Sequence, residues 1–154
     1  MMLAKEIKIE DIYDINYPCY ISGIPKDSVK ITHIPGQFEY QHLDKVKAYV
    51  IEAYKTKNKL FLYDCIPCLL WEKKICLIPY EKRIKTLHRI VTEQLSNFDK
   101  VIDLYADLVE NPYDFQEVYK ELKQKNIEKI RIMDVNGNYI FGQTVENELM
   151  EMSL

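Results

Sequence analysis

KLFLYDCI, residues 59–66, decides how the rest of the chain must fold. It is a short, almost wholly apolar run rich in aromatic rings, and neither glycine nor proline interrupts it. A strand of that kind reads as buried on both faces rather than alternating between core and water. It therefore needs a neighbouring strand on each side and a covering layer above and below. Ile66-Pro67 then separates Cys65 from Cys68, and Pro79 closes the LLWEKKICLIP segment that follows.

Working outward, residues 80–95 place Ile84, Leu87, Val91 and Leu95 on one side of a helix. Upstream, QHLDKVKAYVIEAYKTK (41–57) has Leu43, Val46, Val50, Ala53 and Tyr54 at helical spacing and predicts a second helix. Two short strands, YPCYISGI and SVKITHI, flank a turn at Pro25-Lys26-Asp27, and EIKIEDIYDI alternates as a terminal strand would. KVIDLYADLVE alternates cleanly and predicts one strand over 101–109, with Ile102, Leu104, Ala106 and Leu108 on one face. NPYDFQEVYKELKQK opens with a capping Asn111 and with Pro112 at the first helical position. IEKIRIMDVNGNYIFGQ places two alternating runs around Asn136-Gly137, which predicts a type I′ hairpin. A short amphipathic tail, VENELMEM, follows. The expected fold class is α+β: one domain over 1–154, with a mostly antiparallel or mixed sheet, about three main helices and a C-terminal β-hairpin.

Composition narrows the partners. With 21 basic and 24 acidic side chains the net charge is −3, so no global field favours nucleic acid. Binding of that kind is expected only through a local face, and Lys82, Lys85 and Arg89 on the 80–95 helix are the candidates, with a solvated face as the commoner explanation. The start of the chain lacks the apolar stretch of a secretory signal, and no run approaches a membrane span. The expectation is a cytoplasmic protein with no membrane partner and four reduced cysteines.

Cys65-Ile66-Pro67-Cys68 is similar to a thioredoxin active site, which implies Cys65 as attacking thiol and Cys68 as resolving thiol. A buried packing role is the stronger reading, because cysteine also serves as a small hydrophobe. Asp103 and Asp107 fall on one face of the predicted 101–109 strand, where they could hold a divalent cation; a soluble acidic sheet face explains them more simply. His88 reads as a core-edge histidine. Phosphate-cradling loops, dinucleotide fingerprints and nucleophile elbows are lacking, so neither a cofactor nor a metal is expected.

The order of these pieces over residues 59–143 resembles the second half of the nucleotidyltransferase domain of ATP-dependent DNA ligases. Tyr63-Asp64, Pro79 with Arg83, the strand at 101–109, Glu128, and Tyr139 with Gly142 stand in the matching places. The resemblance implies a ligand-binding set of Tyr63, Asp64, Arg83, Glu128 and Arg131. It also exposes departures. The family attaches AMP to the lysine of Lys-x-Asp-Gly, and the nearest remnant here is Lys26-Asp27-Ser28; Lys129 and Met133 replace a glycine and a nucleotide-contacting lysine. Without an amine nucleophile the covalent step cannot occur. The resemblance therefore implies a catalytically inactive, non-enzymatic binding or regulatory protein that takes a protein or nucleotide partner. The bias to Lys, Ile, Glu and Tyr suits a small phage or mobile-element accessory protein.

Overall fold

The computed structural model describes residues 4–104, 106–141 and 149–154, with only the backbone of Phe38, Glu39, Gln41 and His42. Gly142 and the first part of the amphipathic tail lie outside the described residues. Among the described residues nine strands form two sheets: β1 (Lys5–Glu6), β2 (Cys19–Pro25), β3 (Val29–His33), β4 (Tyr49–Lys55), β5 (Leu60–Pro67), β6 (Val101–Asp103), β7 (Asp107–Val109), β8 (Ile127–Asp134) and β9 (Leu149–Ser153). Three α-helices accompany them: α1 (Cys68–Lys73), α2 (Tyr80–Gln94) and α3 (Pro112–Lys123). The five-stranded sheet runs β1-β9-β8-β2-β7 and the four-stranded sheet β3-β4-β5-β6. Both are mixed, because β1 pairs parallel to β9 and β5 parallel to β6. The α+β expectation holds.

The sheets stack face to face, each with a helix on its outer side. Phe115 and Leu122 of α3 pack with Ile21, Ile130, Ile132 and Met152 of the five-stranded sheet. On the other side Leu87 and Ile90 of α2 pack with Ile51, Ala53, Leu62 and Cys65. KLFLYDCI thus lies in β5, between β4 and β6, covered on both faces as its composition requires. The β4–β5 register slips between Glu52 and Ala53, so Tyr63 has no opposite number. Across that bulge Leu62 and Cys65 both join the α2 core, while Tyr63 and Asp64 are left to the space between the sheets.

Several expected elements differ. Residues 41–57 do not form one helix. A 3-10 segment (Phe38–Lys45) is followed by β4, in which Ile51 and Ala53 face α2 while Tyr54 joins the core between the sheets. Residues 101–109 are split: β6 belongs to one sheet and β7 to the other, so Asp103 and Asp107 do not share a face. Half of EIKIEDIYDI is a 3-10 turn (Ile9–Tyr13), and only its first residue, Glu6, lies in a strand, together with Lys5 in β1. The turn at Asn136-Gly137 is present, but the strand that returns against β8 is β9, and neither turn residue takes positive φ. The carbonyls of Val135 and Gly137 instead accept from the free N–H groups of Glu81 and Tyr80 at the start of α2. Tyr139 is drawn the same way and bridges Cys76.

Candidate functional site

Tyr63 and Asp64 meet two arginines between the sheets. Asp64 is fully buried and accepts from Arg83 Nε at 2.9 Å, from Arg83 Nη2 at 3.3 Å and from the Cys65 amide at 2.8 Å. Arg83, in the first turns of α2, spends its remaining Nη1 donors on the carbonyls of Ile78 (2.6 Å) and Gly137 (2.9 Å). That paired fork is the geometry in which a guanidinium and a carboxylate bind most strongly. Burial opposes the charge on Arg83, but the adjoining Asp64 carboxylate more than offsets it and raises the guanidinium above its ordinary pKa.

Arg131 reaches the same carboxylate from β8, with Nη2 3.9 Å from Asp64 Oδ2 and Nη1 3.4 Å from the Tyr80 hydroxyl. Its guanidinium lies over the Tyr63 ring at 4.5 Å and the Tyr80 ring at 5.5 Å. Tyr54 stacks on Tyr63, ring centroids 4.4 Å apart. Glu52, opposite Asp64 in the β4–β5 ladder, accepts from the Tyr139 hydroxyl. Burial, and then the charge on Asp64, push the Glu52 carboxyl above the usual carboxylate range. Two guanidiniums therefore face two carboxyls, all nearly free of solvent.

Four of the five expected ligand residues, Tyr63, Asp64, Arg83 and Arg131, are thus brought together. Glu128 is not: the β2–β8 register slips between Ile24 and Pro25, leaving Glu128 as the extra residue, and its side chain is exposed. Cys65 is 1% exposed, and its thiol donates to the Arg83 carbonyl at 3.4 Å. Burial, and then the Asp64 charge, raise the Cys65 thiol pKa; burial also raises that of Cys68. A reactive pair needs the opposite shift in its attacking thiol. Lys82, Lys85 and Arg89 are exposed along α2, where Lys85 pairs with Glu81 at 3.4 Å.

Sequence reasoning missed Glu52 and Tyr80. Glu52 carried a signal, a lone acid inside the apolar run YVIEAY, which the helical reading of that segment did not single out. Beside Tyr63 the structure opens a cavity of about 350 Å³ between α2 and β6, lined mainly by Ile84, Leu87, Leu104 and Ala106. Lys85 and His88 stand at its mouth, and His88 Nδ1 lies 2.8 Å from Asp103. Among the described residues no group of three or more His, Cys, Asp or Glu is arranged to hold a metal ion, and no helix is long and apolar enough to cross a membrane.

No family model matches this sequence, and no curated protein matches it either. Solved structures do match its fold. The ligase Pmar-Lig_Pre superposes with a TM-score of 0.79 at 15% identity over 99% of this chain and 46% of its own. The DNA ligase–adenylate of Chlorella virus gives 0.69 at 14% identity, over all of this chain and 69% of its own. The ATP-dependent DNA ligase of bacteriophage T7 in complex with ATP gives 0.67 at 11% identity, over 99% of this chain and 68% of its own. The chain spans about half the length of the first of these and about two thirds of the others. With its two facing sheets, the helix that follows the Tyr63-Asp64 strand and the buried arginine that strand binds, the chain has the fold of the nucleotidyltransferase domain of ATP-dependent DNA ligases.

Proposed function

We propose that this is a non-enzymatic binding protein on a nucleotidyltransferase-like fold, with the groove beside Tyr63 as its nucleotide site. One observation carries the reading: Asp64 is held by both Arg83 and Arg131 in the space between the sheets. Both cations there are arginines, and among the described residues no lysine pairs with Asp64 or Glu52. A guanidinium stays protonated at any working pH and cannot attack a phosphate as a lysine amine does. The groove has the size of a small-ligand pocket, with an apolar floor for a base and two basic side chains, Lys85 and His88, toward a phosphate.

Calorimetric titration with ATP, ADP and AMP tests the proposal. Binding that weakens severalfold in Lys85→Glu, with the thermal transition unchanged, supports it; no binding of any of the three overturns the nucleotide site. A protein partner is the second reading, favoured by the exposed side chains of Leu69, Ile75 and Leu77 around α1, which are 51–70% accessible. The thiol–disulfide alternative predicts that native Cys65 reacts with a thiol reagent. Its burial predicts reaction only after unfolding.

A further inference from the structure

A second surface lies at the end of the sheets where β4 turns into β5, meeting the groove beside Tyr63 only at Leu104. Thr56 Oγ1 accepts from the Lys59 amide at 3.2 Å and Thr56 N donates to the Lys59 carbonyl at 3.0 Å, so Lys57 and Asn58 form a tight two-residue turn. The neighbouring connections are tied to it or to each other through the backbone. Leu60 N donates to Lys100 O at 2.8 Å, and Lys26 N donates to Asn126 O at 3.3 Å. Two cavities, of about 540 and 250 Å³, lie on either side of the turn and share residues Thr56–Lys59.

Lys26, Lys55, Lys57, Lys59 and Lys100 line these two cavities, and Asp27 is the only acid on their walls among the described residues. All five lysines are exposed and none has an acidic partner there. In a chain of net charge −3, where Lys30, Lys85, Lys120 and Lys129 each pair with an acid, this end concentrates unpaired positive charge. The walls are also aromatic: Phe61 lies in the larger cavity, and Tyr40, with Lys55 Nζ 5.2 Å from its ring centroid, in the smaller.

We propose that this end of the molecule binds single-stranded nucleic acid. A positive track interleaved with rings suits it, because the cations take phosphates and the rings take unpaired bases in any sequence. The Thr56–Lys59 turn stands as a ridge between the two cavities. A flexible single strand can bend over that ridge, whereas a rigid duplex cannot reach both cavities at once.

Fluorescence anisotropy of the full chain with a labelled oligothymidylate tests the proposal, using a blunt hairpin duplex as the second probe. Saturable binding to the single strand is expected, weakening steeply between about 50 and 200 mM salt. Lys57→Glu/Lys59→Glu should bind about tenfold or more weakly with a shallower salt slope, since two phosphate contacts are lost. Lys73→Glu/Lys120→Glu, which makes the same charge change on α1 at the opposite end of β5 and on α3, should bind as the wild type does. The substituted lysines are exposed, so equal thermal transitions will show that all variants fold. No binding at low salt, equal weakening by both double variants, or a duplex bound as tightly as the single strand would each overturn the proposal. None of these outcomes bears on nucleotide binding beside Tyr63, which the calorimetry reads separately.

Discussion

Asp64 has no access to water, and three donors from Arg83 and the Cys65 amide stand in for its hydration. Removing one member of a buried pair leaves the other uncompensated, at about 3–5 kcal/mol. Arg83→Ala should therefore lower unfolding stability by that order in urea denaturation. The double variant Arg83→Met/Asp64→Asn should recover only part of it, because the Asp64 charge is no longer left without Arg83 but the buried Arg131 loses that carboxylate too. His33 is buried by a different balance. Its Nε2 lies 3.4 Å from Asp44 without making a hydrogen bond. Burial lowers its pKa below the ordinary 6.5, with Asp44 only partly opposing that. The unfolded chain then binds a proton that the folded chain refuses. Stability should be greatest above pH 6.5 and decline as the pH falls from there toward the folded-state pKa. His33→Phe should flatten that part of the stability–pH curve; an unchanged slope would contradict the account. The arginines and Tyr63-Asp64 were legible as residues, but their mutual pairing was not, because it depends on a bulge that no residue type in KLFLYDCI marks.

Among the elements, α2, α3 and β5 could be read from the sequence because each carries a local cause. α3 has its cap: Asn111 Oδ1 accepts from the Asp114 amide at 2.9 Å, and Pro112 occupies the first helical position. Asn111→Ala should cost about 1 kcal/mol, measurable as a lower urea midpoint with unchanged slope. The 41–57 segment misled because a strand covered on both faces loses its two-residue period. Val46 and Ala53 are apolar for one core and Tyr54 for another, and their spacing happens to match a helix. The 101–109 stretch misled in the opposite way. Its alternation runs unbroken, and no glycine or proline marks where the chain leaves one sheet for the other. Gly23 was silent in the sequence, yet a Cβ there would stand 2.8 Å from Ile127 Cδ1, so β2 and the start of β8 approach closely only because it is glycine.

At the scale of the whole molecule, the order of elements revealed the family likeness and the pairing of distant residues shows what fills the fold. Lys30 of the four-stranded sheet reaches Glu151 of the five-stranded sheet at 2.7 Å, and Tyr139 reaches Glu52 across 87 positions of sequence. Arg131 lies among Tyr63, Tyr80 and Asp64. Together these contacts fill the space between the sheets with the chain's own charges and rings. Among the described residues no amine pairs with Asp64 or Glu52, and the Lys30 amine between the sheets is held by Glu151. Intact-mass spectrometry tests most directly the proposal that the chain accepts no adenylyl group. The protein is incubated with magnesium and ATP, and separately with nicotinamide adenine dinucleotide, then denatured in acid. The account predicts the unmodified mass in both cases. A stable increase equal to one AMP, lost when a particular lysine is substituted, would contradict it.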